Sequence, residues 1–114
     1  MATSAEIRNQ ALRKLGVLGA AGTASSEDSQ DMDKAYNEVY AQLDSIELAY
    51  FTQDNVPDEV SNAVAAKCAW ARVSEHLVSE ARFQRVRSEA IDADRVISAG
   101  LSGRYHSSTN ERDY

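Results

Sequence analysis

The sequence contains little of what marks a specialised protein: one cysteine, one proline and two histidines in 114 residues. Cys68 alone cannot form an intramolecular disulfide, so we expect a reducing compartment and a buried thiol that packs as a small hydrophobe. No apolar run approaches the roughly 20 residues that a membrane span needs. The first residues lack the basic segment and apolar block of a secretory signal. With 43% hydrophobic residues, the chain is expected to form one globular domain.

Basic residues are outnumbered by acidic ones, with 12 Lys and Arg against 18 Asp and Glu, so the formal net charge is -6. This balance argues against sequence-independent nucleic-acid binding, which needs a basic face, and against docking on an anionic membrane. From Glu27 to Glu59 there are ten acidic residues and one basic residue, Lys34, whereas Arg82 to Arg95 is slightly basic. This separation of acidic and basic residues suits a protein with two surfaces that bind different partners. It also suits a ring in which the acidic surface of one copy binds the basic surface of the next. For any single charge, a solvated helix face is the simpler interpretation.

The most informative stretch runs from Val56 to Ala81. Pro57 suits a first helical position, and Asp58 and Glu59 place negative charge at the positive end of the helix dipole. The following run, Ala63–Val73, is small or apolar on most helical faces. A surface helix carries a single apolar stripe, so this run predicts a central helix packed on several sides.

Three further helices are predicted around it. Helix 1 spans about 4–16 with Ser4 as its cap, and helix 2 spans about 27–48 after the capping residue Ser25. Helix 4 spans about 82–99. The apolar stripe of helix 2 includes Met32, Ala35, Tyr36, Val39, Leu43, Ile46 and Tyr50. The predicted fold is therefore all-α, a small bundle of about four helices around an alanine-rich centre, in one domain at 1–99.

From Gly100 to Tyr114 the sequence has no apolar period and little to bury. We expect an extended C-terminal tail that a partner subunit or another protein holds, with Tyr105 and Tyr114 as anchors. Folding of the tail back onto its own domain is the alternative.

Catalytic and metal-binding patterns are weak. Cys68 and His76 are eight residues apart, which is not a usual metal-ligand spacing, and no two histidines share a helical face. We expect a protein that is not an enzyme and uses no cofactor. Arg82, Gln84, Arg85 and Arg87 form the one cluster that a DNA-recognition helix would need. Given the acidic balance, a subunit contact is the preferred interpretation.

The run Ala11-Leu12-Arg13-Lys14-Leu15-Gly16-Val17 resembles the first helix of the head-to-tail adaptor (connector) proteins of tailed bacteriophages. These include the tail accessory and tail tubular adaptor proteins of short-tailed phages. The order that follows is also similar: an acidic helix, the aromatic pair Tyr50-Phe51, the proline-acid start at 56–59 and the alanine-rich helix. The likeness covers about residues 4–100. The linker before the third helix is shorter than in several relatives, and Val56 stands where the family often has Leu.

The resemblance implies a structural virion protein at the head–tail interface, made in the host bacterial cytoplasm. Family members form a ring, commonly of twelve subunits, under the portal. That ring extends the DNA channel and supports a stopper, nozzle or other tail protein. The partners of this chain would then be the portal protein, a tail protein and other copies of itself. DNA would pass through the channel without specific binding, and no membrane would be involved.

The implied sites fall into three groups. Portal contacts are expected in the tail at Arg104, Tyr105, His106, Arg112 and Tyr114. Contacts between subunits are expected at Arg82, Arg85 and Arg87, and channel-facing acids at Asp28, Asp31 and Asp33.

A second class of function fits the composition as well. The chain could be a small acidic cytosolic helical regulator that binds a host or phage protein, for example at a DNA-binding or polymerase site. An ordered tail and a buried alanine-rich helix favour the adaptor, because a monomeric regulator requires neither.

Overall fold

The computed structural model describes residues 1–18 and 25–113, with side chains up to Gly103. Within these ranges the chain forms four α-helices and no strands. They are α1 (Ser4–Lys14), α2 (Ser26–Ser45), α3 (Asp58–Arg72) and α4 (Glu80–Asp113), with a 3-10 turn at Val73–Glu75 after α3. The predicted all-α fold is confirmed.

Helix α3 lies at the centre and packs against α1, α2 and α4. Its buried residues point in most directions around the helix axis, as the sequence predicted; they are Val60, Ala63, Val64, Ala65, Ala66, Cys68 and Ala69. Alanine on several faces lets three neighbouring helices approach one axis closely. The resulting core takes its larger side chains from the outer helices, including Ile7, Leu12, Met32, Tyr36, Leu43 and Ile97.

The helix ends agree with the sequence in part. Ser25 caps α2, since its Oγ accepts from the Asp28 backbone N–H, as predicted. Thr3, not Ser4, caps α1 and forms a capping box with Glu6. Gly16 follows α1 with φ at 77°, the left-handed conformation that glycine adopts most readily. Pro57 is the N-cap of α3 rather than its first helical residue.

The linker from α2 to α3 is held by tyrosines of α2. The Tyr36 hydroxyl donates to the Gln53 carbonyl at 2.8 Å, and the Tyr40 hydroxyl donates to the Phe51 carbonyl at 2.7 Å. Val56 then forms an isolated antiparallel bridge with Ala2. The tyrosine stripe therefore belongs to the core and fixes the linker.

Helix α4 differs most from expectation. It begins at Glu80 after a short turn and continues to Asp113, where the sequence predicted a helix end near residue 99 and an extended tail from Gly100. Neither Gly100 nor Gly103 interrupts it. Glycine inside a helix costs only about 1 kcal/mol relative to alanine, and no proline follows to stop the helix.

Candidate functional site

The three arginines expected at subunit contacts do not form one surface. Arg82 lies on the side of α4 that faces α1. Arg85 and Arg87 are exposed, and no carboxylate of the described residues lies within ion-pair distance of either. Two residues apart on a helix, their side chains diverge by about 160°. The structure therefore separates Arg87 from the other two.

Arg82 has a partner within its own chain. Its guanidinium donates to the backbone carbonyls of Arg13 and Lys14, each at 3.2 Å. These carbonyls belong to the last turn of α1, where no intrahelical donor remains and where a cation suits the helix dipole. A Cβ at Gly16 would lie 3.0 Å from the same guanidinium. Arg82 thus stabilises the end of α1 against α4.

The three acids expected to face a channel are also divided. The Asp31 carboxylate pairs with Arg72 of α3 at 3.1 Å, and the Asp33 carboxylate pairs with Arg8 of α1 at 3.6 Å. They lie on opposite flanks of α2, and each charge is offset by an arginine. Asp28 sits in the first turn, where its backbone N–H donates to the capping hydroxyl. Asp28 alone among the three makes no ion pair within the described part of the chain.

Sequence reasoning missed the role of Arg72 as the centre of a charge cluster. Its guanidinium contacts carboxylates of Asp31, Glu38 and Glu75 at 3.1 to 3.2 Å. The Arg72 side chain is 15% exposed, whereas its partners are 40 to 59% exposed. A single arginine therefore holds the carboxylates of α2 and of the 3-10 turn at the end of α3. Only the i, i+3 spacing of Arg72 and Glu75 is visible in the sequence, whereas the pairs with Asp31 and Glu38 depend on how α2 packs against α3.

A groove of about 230 Å³ runs between α2 and α4 with α3 as its floor. It is lined by Glu38, Val39, Gln42, Lys67, Trp70, Ala71 and Ala90. Lys67 crosses one side of it to pair with Asp94 of α4 at 2.6 Å. The Trp70 ring packs against the Phe83 ring, with the ring centroids 5.4 Å apart. Trp70 remains 39% exposed to solvent.

Chemistry at the buried polar groups is suppressed. Burial raises the pKa of the Cys68 thiol to about 12, so it is protonated and unreactive at neutral pH. Burial also raises the pKa of Tyr36. Among the described residues, no three His, Cys, Asp or Glu side chains come together as a metal site would require. None of the described helices is long and apolar enough to cross a bilayer.

The tail residues expected to bind the portal lie at the far end of α4. The helix assignment takes in Arg104, Tyr105, His106 and Arg112, but their side chains, and residue Tyr114, lie outside the described part of the structure. At Gly100, α4 passes close to the helical body. A methyl group there would meet the Tyr50 hydroxyl and Val60, whereas one at Gly103 would meet no described atom within 4 Å.

Comparisons with protein-family models, with curated proteins and with solved structures gave no match.

Proposed function

We propose that this chain is one subunit of a phage head-to-tail adaptor, a ring between portal and tail through which DNA passes. The proposal rests first on the sequence resemblance, which runs from the first helix to the alanine-rich third helix. The role proposed for the chain is structural and requires neither catalysis nor a cofactor.

The structural observation that carries the proposal is the reach of α4. This helix has 34 residues, so it spans about 51 Å. The molecule measures 53 × 27 × 26 Å, so its long dimension corresponds to the length of this one helix. The helix continues ten residues beyond Gly103, which is roughly 15 Å further along its axis. An arm of this length suits contact with a second protein, here the portal.

The charge distribution also supports a ring. Arg85 and Arg87 are exposed on α4, and acidic residues are concentrated in α2 and the linker after it. Subunits in a ring meet through two different surfaces, and opposite charge on those surfaces favours their association. Under this proposal the acids of α2 that are not paired, such as Asp28, remain candidates for the channel wall. Repulsion there would keep DNA phosphates from sticking.

The experiment that tests this role compares the full chain with a truncation after Gly103. This cut removes the arm and keeps Gly100 against the body, which a cut at residue 99 would not. Each protein is mixed with the cognate portal ring and sedimented. We expect the full chain to co-sediment and the truncated chain to stay in the supernatant while keeping its helical circular dichroism and cooperative unfolding.

Two other results are informative. Co-sedimentation of both proteins would place the portal contact in the helical body and not in the arm. Failure of the full chain to co-sediment would contradict the adaptor proposal and favour an acidic regulator of another protein.

A further inference from the structure

Two exposed isoleucines lie on different helices, beside charges of opposite sign. Ile91 of α4 is 65% exposed and follows Arg87 by one helical turn. Ile46, the residue that caps the end of α2, is 55% exposed and lies between Asp44 and Glu47. None of these three charged side chains forms an ion pair with another described residue. We call Arg87 and Ile91 the α4 patch, and Asp44, Ile46 and Glu47 the α2 corner.

The α4 patch lies on the groove side of the molecule. Arg87 is seven residues from Asp94, which is two helical turns, so the two side chains project in nearly the same direction. Asp94 pairs with Lys67, a lining residue of the groove. Ile91 lies one turn from Arg87 and slightly further toward the outside of the bundle.

Asp44 of the α2 corner lies on the other side of α2. Asp44 is eleven residues from Asp33, which is close to three turns, so these carboxylates share a flank of α2. Asp33 pairs with Arg8 of α1, and α1 contributes nothing to the described lining of the groove. Asp44 on α2 and Arg87 on α4 therefore project to different sides of the bundle, and they form no ion pair within the described part of the chain.

The α2 corner is also electrostatically unfavourable in an isolated chain. The last turn of α2 contains Asp44 and no basic residue, and Glu47 follows it with φ at 63°. Negative charge near the carboxyl end of a helix opposes the helix dipole. A cation supplied from outside the chain would relieve this repulsion. The unpaired guanidinium of Arg87 has the charge that is needed, next to an apolar side chain that can cover Ile46.

We propose that the α4 patch of one copy binds the α2 corner of the next copy, with Ile91 against Ile46 and Arg87 between Asp44 and Glu47. Because the α4 patch and the α2 corner are two different surfaces, we infer a head-to-tail contact that continues from copy to copy, as closure into a ring requires. This inference rests on the proposed ring function and identifies the contact within it.

Disulfide trapping tests the contact without any portal. Ile46→Cys and Ile91→Cys are prepared as separate variants, mixed at high concentration and oxidised; Cys68 is buried and does not compete. We expect a covalent dimer in the mixture, at several times the yield given by Ile46→Cys mixed with Ser88→Cys. Ser88 is a matched control because it is exposed on α4, about 60° around the helix from Ile91. A yield equal to this control overturns the proposal.

The double variant Ile46→Cys/Ile91→Cys tests the head-to-tail geometry. A contact that continues from copy to copy gives a ladder of trimers and larger species after oxidation. A product that stops at dimers shows a two-fold contact and overturns the proposal.

Charge reversal tests the electrostatic part. Arg87→Glu in the Ile91→Cys partner should lower the trapped yield roughly fivefold to tenfold, because an exposed attraction becomes a repulsion. Asp44→Lys/Glu47→Lys in the Ile46→Cys partner should restore it. Arg85→Glu makes the same charge change on another flank of α4 and should leave the yield unchanged. Equal loss with Arg85→Glu, or no rescue, contradicts the assigned pairing.

Failure of this contact is distinct from failure of the adaptor role. If trapping fails while the full chain still co-sediments with the portal, this interface is wrong and the adaptor role stands. If trapping succeeds but the full chain does not co-sediment with the portal, the chain self-associates through this contact but is not an adaptor.

Discussion

Gly100 lies directly against the hydroxyl of Tyr50, so α4 passes the linker at a point where a Cβ would force a neighbouring side chain to move. A Cβ at this position would also come within 2.9 Å of a methyl group of Val60. Both neighbours belong to the packed body, one in the linker and one in α3. This glycine therefore permits the close approach of α4 to the linker and to α3.

The first prediction compares two glycines of the same helix. Gly100→Ala should destabilise the protein by about 1–2 kcal/mol, because displacing Tyr50 and Val60 outweighs the gain in helix propensity. Gly103→Ala meets no described atom and should be neutral or stabilising by up to about 1 kcal/mol. Urea unfolding followed by circular dichroism measures both. Equal effects at the two positions would show that the contact with Tyr50 is not restrictive.

The second prediction concerns Arg82. Arg82→Ala removes the donors to the Arg13 and Lys14 carbonyls and should lower the free energy of unfolding by about 1–2 kcal/mol. Arg85→Ala, which removes an exposed arginine without an ion pair, should change it by less than about 0.5 kcal/mol. Urea titrations of both variants, followed by circular dichroism, measure these two changes in the free energy of unfolding. If Arg82→Ala leaves the stability of the isolated chain unchanged, Arg82 does not act as a cap for α1.

The third prediction concerns the charge cluster at Arg72. Arg72→Gln should cost about 1 kcal/mol, since three partly exposed carboxylates lose their shared cation. The loss should shrink in 1 M salt, where charges are screened over about 3 Å. Arg95→Gln removes an exposed pair within α4 and serves as the control, with little expected change. A loss at Arg72 that is independent of salt would point to packing rather than charge.

The fourth prediction concerns Cys68 and pH. Burial raises its pKa in the folded state to about 12, above the ordinary value of 9.0, so folding favours the protonated thiol. This contribution is fully present below pH 9 and is lost as pH rises toward 12, because the unfolded chain releases its proton first. Cys68→Ala lacks this loss, so its stability deficit relative to the natural chain should narrow between pH 9 and 10.5.

Thiol labelling measures the burial of Cys68 independently. At pH 8 the rate of reaction with an aromatic disulfide reagent should follow the fraction of unfolded chain across a urea titration. Rapid reaction in the absence of urea would contradict the buried position of Cys68.

The centre of the fold could be predicted from the sequence because its signals are local. An alanine-rich run that is apolar on most faces can only be a buried helix, and α3 is buried as expected. Ser25 was recognisable as a cap from the acids that follow it. Thr3 was missed in favour of Ser4, because both residues are good caps and the capping box with Glu6 selects between them.

The surroundings of the proposed contact residues could be predicted only in part. Arginines 82, 85 and 87 look alike in the sequence, and the partner of Arg82 becomes apparent only when α1 packs beside α4. Ile46 continues the apolar stripe of α2, but the helix ends at Ser45 and the residue is left exposed. The path of α4 through Gly100 depends on a contact with Tyr50, fifty residues away. Such long-range contacts leave no periodic signal.

The most direct test of the adaptor role is the mass of the complex that the full chain forms with its cognate portal ring, measured by native mass spectrometry. We predict a single complex in which the portal mass increases by a fixed multiple of the 12.5 kDa subunit, twelve copies on a twelvefold portal. A variable number of bound copies would show binding without a ring. A portal of unchanged mass beside free monomer would contradict the adaptor role.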